Sequence, residues 1–214
     1  MKVIFGSAGQ AKEVDWFLYE ISKQKGAHHR LDYYIGNEPN DLGIHGVPII
    51  TESDFLPMIK NSVSVEAYIA IGSPVIRRKI WDKFKDFSPI HYPVLIHPSV
   101  FYDERQDRVK LGTGSILCAG TVLTTDVTIG DFVHVNINST IAHDTQIGNF
   151  CTISPGCNIS GNVILGENVF LGTNAKIIER ISICNDVIIG AGSLVTKSIT
   201  EPGTYVGIPA KKIK

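Results

Sequence analysis

Several features that would declare a function class are missing from this sequence of 214 residues. No apolar stretch approaches the ~20 residues needed to span a bilayer. The start, MKVIFGSAGQ, is interrupted by Gly6, Ser7 and Gly9, and has neither the apolar core nor the cleavage site of a secretory signal. A cytoplasmic location is therefore expected. Charge of one sign is also lacking. The chain has 20 Lys and Arg against 21 Asp and Glu, and the basic residues form no long run. Nucleic acid and membrane surfaces are accordingly not expected partners. Cysteine is scarce: Cys118, Cys151, Cys157 and Cys184 include no C-x-x-C pair and no ladder of metal-like spacings. They read as reduced packing residues, and no metal is expected.

What is present is a repeat. Every sixth residue from Leu111 to Val195 is Leu, Ile or Val, fifteen positions without a slip. Four residues after each comes a second inward slot, often small, as at Ser115, Cys151, Cys157 and Ala175. Gly112, Gly130, Gly148 and Gly166 recur at a spacing of eighteen, as do Gly172 and Gly190. A period of six inside a period of eighteen means three short strands per coil, with glycine at a tight corner. Fifteen hexads make five coils. One coil cannot bury its aliphatic face alone, so the coils stack into a solenoid with a continuous core.

Residues 1–92 follow another pattern. Lys2–Phe5 is an apolar strand leading into Gly6-Ser7-Ala8-Gly9-Gln10-Ala11. A helix follows, with Val14, Phe17, Leu18 and Ile21 on one face, ending near Gly26. Leu31–Ile35 reads as a strand closed by Gly36-Asn37, Glu52–Lys60 as a helix, and Val65–Ile71 as a strand stopped at Gly72-Ser73-Pro74. A helix from Val75 to about Phe87 carries Arg77, Arg78 and Lys79. Such alternation predicts a small parallel, Rossmann-like α/β domain, in which ligands sit beyond the carboxyl ends of the strands. Gly6–Ala11 matches only part of a dinucleotide fingerprint. Both a plain strand-to-helix turn and a phosphate-binding turn remain open. Residues 93–214 form the second domain, with 92–110 an irregular first coil carrying an insertion.

The repeat contains two histidines, His134 and His143. His143 is at the third position of its hexad and Asp144 at the fourth, an outward corner. An imidazole can act as a base at neutral pH, and a neighbouring carboxylate can orient it. Adjacent residues on a flat strand point apart, so cooperation requires the corner; a surface His-Asp pair is the other reading. His134 reads as structural. His28-His29 reads as a solvated loop pair, and Asp103-Glu104 as a solvated face.

Over nearly its whole length the sequence resembles the bacterial sugar acetyltransferases of the hexapeptide-repeat type. These comprise nucleotide-linked 4-amino-sugar N-acetyltransferases and sialic acid O-acetyltransferases. The motifs that carry the resemblance run from Gly6-Ser7-Ala8-Gly9 through Ala70-Ile71-Gly72 and Ile76-Arg77-Arg78-Lys79 to His143-Asp144. They continue with Ser154-Pro155-Gly156, Gly161-Asn162-Val163, Phe170-Leu171-Gly172, Gly190-Ala191-Gly192 and Val206–Lys211. The resemblance implies a left-handed parallel β-helix, a homotrimer with active sites between neighbouring prisms, and acetyl-CoA as donor. It implies His143 as general base, Asp144 as the acid that increases its basicity, and Asn136 as a polar active-site residue. Thr152, Gly161, Thr173, Ala191 and Lys211 would meet the coenzyme. Ala8, Gly9, Gln10, Gly36, Asn37 and Gly72 would hold the nucleotide-sugar. The sequence departs from the family at Gln10 and Thr152, where histidine is common. The expected activity is N-acetylation of a nucleotide-linked amino sugar; O-acetylation of a sialic acid or related sugar hydroxyl and a non-catalytic β-helix scaffold are the alternatives.

Overall fold

Side chains spaced by six can share one interior only if the chain turns after every short strand. The computed structural model, which describes all 214 residues, shows this arrangement. Two units are distinguished: Met1–Gly72 with Ile76–Pro93, and Val94–Lys214 with Ser73–Val75. No helix is long and apolar enough to cross a membrane.

The second unit is a parallel β-helix of three faces. The first face runs in register from Leu95–Ile96 through Ile116–Leu117, His134–Val135, Thr152–Ile153 and Phe170–Leu171 to Val187–Ile189, with Gly203–Val206 beside the last. The second runs from Phe101–Tyr102 to Leu194–Val195, and the third from Val109–Leu111 to Ser182–Ile183. Residues 103–108 form the expected insertion, clamped where Arg108 meets Asp126 at 2.8 Å. The second residue of each two-residue strand points inward, so Leu117, Val135, Ile153, Leu171 and Ile189 stack in a fully buried column. Their burial stabilises by roughly 1.5–3 kcal/mol for each large aliphatic side chain. Smaller inward residues fill the corners; Cys151 and Cys157 are two of them, and all four cysteines are free thiols.

The first corner joins the first face to the second, the second corner joins the second to the third, and the third corner leads back to the first. Each turns at the fourth position of the hexad, which is left-handed at Asp126, Asp144, Asn162 and Asn174. Asp and Asn tolerate that conformation because their short side chains bond locally. At the third corner the glycine column is required by close stacking. A Cβ on Gly112 would lie 2.3 Å from the carbonyl carbon of Gly130 in the next coil.

The first unit contains strands β1 (Lys2–Phe5), β2 (Tyr33–Gly36), β3 (Asn40–Ile44), β4 (Val47–Thr51), β5 (Val65–Ile69) and β6 (Ile90–His91). Its helices are α1 (Gly9–Gln24), α2 (Glu52–Lys60) and α3 (Pro74–Phe84). The sheet order is β3-β4-β2-β1-β5-β6, parallel except for β3 at the edge. The sequence pattern does not reveal the β3–β4 hairpin, because residues 40–42 are exposed and carry no apolar alternation. Pairing with β4, rather than a buried face, makes them a strand. Helix α2 is better marked: Thr51 accepts from the Asp54 amide while Asp54 accepts from the Thr51 amide, a reciprocal cap.

Candidate active site

The second corner holds the His-Asp pair. The amide of Asp144 donates to the Thr125 carbonyl at 3.3 Å, and the His143 carbonyl accepts from the Asn162 amide at 2.9 Å, so the corner is tied to the coils on either side. The left-handed turn at Asp144 (φ 59°) brings two consecutive side chains to the same side. His143 Nδ1 and Asp144 Oδ2 are 2.8 Å apart. The side chains are 55% and 54% exposed, so both remain open to a ligand. With Nδ1 donating to the carboxylate, Nε2 presents its lone pair outward. One coil on, an ideal Cβ on Gly161 would fall 2.6 Å from the His143 Cε1 and 2.7 Å from Nε2; the imidazole lies over the glycine.

The first corner is different in character. Asn136 is nearly buried and its Nδ2 donates to the Ile153 carbonyl at 2.8 Å, so its amide is held by the next coil. Thr173 and Ala191 are exposed at equivalent positions one coil apart. The C-terminal segment closes beneath them: Leu194 donates to the Gly207 carbonyl, Ala210 donates to the Leu194 carbonyl, and Lys211 pairs with Val206. The amides of Gly161, Thr173 and Ala191 donate to no acceptor in the chain. At the third corner three of the five equivalent amides are occupied. Thr113 and Asp131 donate at 2.8 Å to Asp131 Oδ1 and Asn149 Oδ1, and Glu167 at 2.9 Å to Asn185 Oδ1. The third corner therefore satisfies three of its five amides with side chains, while the Gly161, Thr173 and Ala191 amides stay unbonded.

The structure joins His143, Asp144 and Gly161 at the second corner, and groups Thr173, Ala191 and the Lys211 segment at the first. Asn136 is also at the first corner and is not brought to His143 within one chain. Thr152 is 2% exposed and paired in the first face between His134 and Phe170. His134 is fully buried, as a structural residue should be.

In the first unit, the ends of β1, β2 and β5 converge. A Cβ on Gly6 would lie 2.8 Å from the Ala70 carbonyl, one on Gly36 would lie 2.8 Å from Ser7 Oγ, and one on Gly72 would lie 3.1 Å from Gln10 Oε1. A cavity of about 450 Å³ opens here, lined by Ser7, Ala8, Gly36, Asn37, Lys79 and Lys83 among others. Helix α1 starts beside it, with no side-chain cap from Ala8 and no acidic residue in its first turn, so its dipole is uncompensated. Sequence reasoning missed Lys79 and Lys83 as lining residues. The helical spacing of Ile76, Lys79, Ile80 and Lys83 was the available signal. Lys83 pairs with Glu52. Arg77, by contrast, holds the backbone. It is fully buried and donates to the Ile71 carbonyl at 2.6 Å. His29 corrects the expectation of a solvated loop pair. Its Nε2 is 2.7 Å from Asp15, which also accepts from Tyr34 OH at 2.8 Å.

An open corner with a half-exposed imidazole and carboxylate, and an unbonded amide one coil away, has the kinds of group that acyl transfer needs. The family model for bacterial transferase hexapeptides (six repeats) matches residues 126–161 and 162–197. The GDP-perosamine N-acetyltransferase of Escherichia coli O157:H7 is 29% identical over 95% of this chain and 81% of its own length. PerB from Caulobacter crescentus, solved with CoA and GDP-perosamine, superposes with a TM-score of 0.88 at 29% identity, covering 100% of this chain and 97% of that one. The acetyltransferase domain of PglB from Neisseria gonorrhoeae FA1090, solved with acetyl coenzyme A, superposes with a TM-score of 0.86 at 26% identity, covering 99% and 98%. The coils are thus those of a left-handed β-helix transferase. The chain carries bacterial transferase hexapeptide repeats and is similar along its whole length to hexapeptide-repeat sugar acetyltransferases, two of them solved with CoA or acetyl-CoA.

Proposed function

We propose that the protein N-acetylates the amino group of a nucleotide-linked amino sugar by direct transfer, with His143 as general base. The observation that carries this reading is the 2.8 Å contact between His143 Nδ1 and Asp144 Oδ2 at a solvent-open corner. It leaves Nε2 free to take the proton of the acceptor amine as nitrogen attacks the thioester carbonyl. Asp144 balances the imidazolium that forms, and unbonded amides such as that of Gly161 receive the developing oxyanion. Acetyl-CoA supplies the activated acyl group; Thr173, Ala191 and Lys211 would border it. Relatives named for GDP-perosamine make a GDP-linked amino sugar the first acceptor to test.

The first unit is assigned to the nucleotide. The order β4-β2-β1-β5-β6 is that of a Rossmann-like half, and its ligand edge is where Ala8, Gly9, Gln10, Gly36, Asn37 and Gly72 lie. Lys79 joins them as a cation on the cavity wall. A homotrimer completes the site. His143 and the pair Thr173 and Ala191 stand at opposite edges of the second face, so they meet only if one prism's second corner abuts the first corner of another copy. A closed ring of three does this for every copy.

His143→Ala is expected to lower kcat by roughly 10²–10⁴-fold, the range of positioned base catalysis. Thiol release from acetyl-CoA with GDP-, dTDP- and UDP-linked amino sugars and free sialic acid as acceptors measures it. A variant that keeps more than about half of wild-type kcat would exclude His143 as the base.

A further inference from the structure

We propose that Gly161 is a positioning residue whose missing side chain is the seat of the His143 imidazole. The proposal rests on His143 being the base and adds what holds it. The face of the ring covers Gly161: an ideal Cβ there would be 2.6 Å from Cε1, 2.7 Å from Nε2 and 3.0 Å from Nδ1. Carbon contacts settle near 3.5–4.0 Å, so any side chain would force the ring off its position. The backbone does not require glycine here. Gly161 is absent from the residues with positive φ. The equivalent positions above and below it in the same corner are Thr125, His143 and Glu179, all with side chains. Among the fifteen third positions of the hexads, Gly161 is the sole glycine, and it lies one coil from the histidine. What the glycine provides is space beside Nε2 and a fixed ring plane. Asp144 holds the ring by one nitrogen, and the seat sets where the other points.

Gly161→Ala separates this role from that of an amide donor, because alanine keeps the N–H and fits the backbone. The expected result is a fall in kcat of about ten- to a hundredfold, the scale of a misplaced catalytic group. The acidic limb of the kcat/KM profile, which the imidazole sets, should shift. The melting temperature and the dissociation constant for acetyl-CoA should hold, the latter to within about threefold. In a His143→Ala background, the same substitution should cost less than about twofold, since nothing is left to position. Equal losses in both backgrounds would mean that position 161 acts on the coenzyme, and would overturn the proposal. So would a Gly161→Ala enzyme with kcat and pH profile unchanged. If His143→Ala alone stays active, the base assignment has failed instead, which the single variant reveals independently.

Discussion

The second and third corners of the prism are built from the same hexad and turn through the same left-handed position, yet they do opposite things with their polar groups. At the third corner, Asp131, Asn149 and Asn185 accept from amides one coil back, and Asn149 also donates to Glu167 at 3.0 Å. The result is a ladder of side chains that satisfies the amides of Thr113, Asp131 and Glu167. At the second corner the side chain above Gly161 is an imidazole turned outward to a carboxylate, and the Gly161 amide is left unbonded. A buried or shielded donor without a partner costs about 1–3 kcal/mol, so satisfied corners favour stability. The second corner gives some of that up at Gly161. On the proposed function, the regular scaffold makes the exchange local, a catalytic corner leaving the coils that hold it undisturbed.

The contrast between corners breaks first at Asp144. Asp144→Asn keeps the turn and a hydrogen-bonding partner for Nδ1 but removes the charge. A loss in kcat of about ten- to a hundredfold is expected. That is smaller than the ~10⁴ of a buried triad carboxylate, because water screens a half-exposed pair. An unchanged kcat in steady-state assays would reduce the pair to surface chemistry. At the third corner the opposite outcome is expected. Asn149→Ala should destabilise the prism by about 1 kcal/mol and lower its melting temperature by a few degrees, with kcat preserved. Lost activity there would show that the corners are not functionally distinct.

The smallest effect concerns the insertion near the second corner. The Arg105 guanidinium holds the Asp103 carboxyl well below the usual carboxylate range. A depressed carboxyl stabilises the fold above its ordinary value of ~3.9, and the contribution is lost as pH falls through the depressed one. Arg105→Ala should return the Asp103 titration, followed by carbon NMR, toward ordinary values, with no change in rate at neutral pH.

The two regions were not equally legible. The prism could be read from Leu111 to Val195 because each inward residue meets the same constraint every six positions. His143 and Asp144 stood out as polar exceptions. Their contact was not readable, since a flat strand would point them apart; the left-handed φ of Asp144 decides it. Gly161 was readable only once third positions are compared with one another, because glycine elsewhere in the repeat serves close stacking or the left-handed turn. Thr152 was pointed to only by the family resemblance, and its burial depends on packing that no spacing encodes. In the first unit, β1 and α1 carry their own apolar pattern, and α2 carries its own cap. The β3–β4 hairpin and β6 exist through pairing with neighbours, so their own residues announce little.

The most direct test asks whether the second corner of one copy works with the first corner of another. Co-expressed His143→Ala and Ala191→Trp chains, each with a different affinity tag and purified through both, should assemble into mixed rings. Each parent alone should be nearly inactive, the first lacking the base and the second with a blocked coenzyme border. A ring containing both keeps one junction with two intact corners, so the unselected random mixture should recover about a quarter of wild-type kcat per chain. Doubly purified rings should recover more. A mixture no more active than the sum of its parents would contradict the shared site, placing all of it within a single chain.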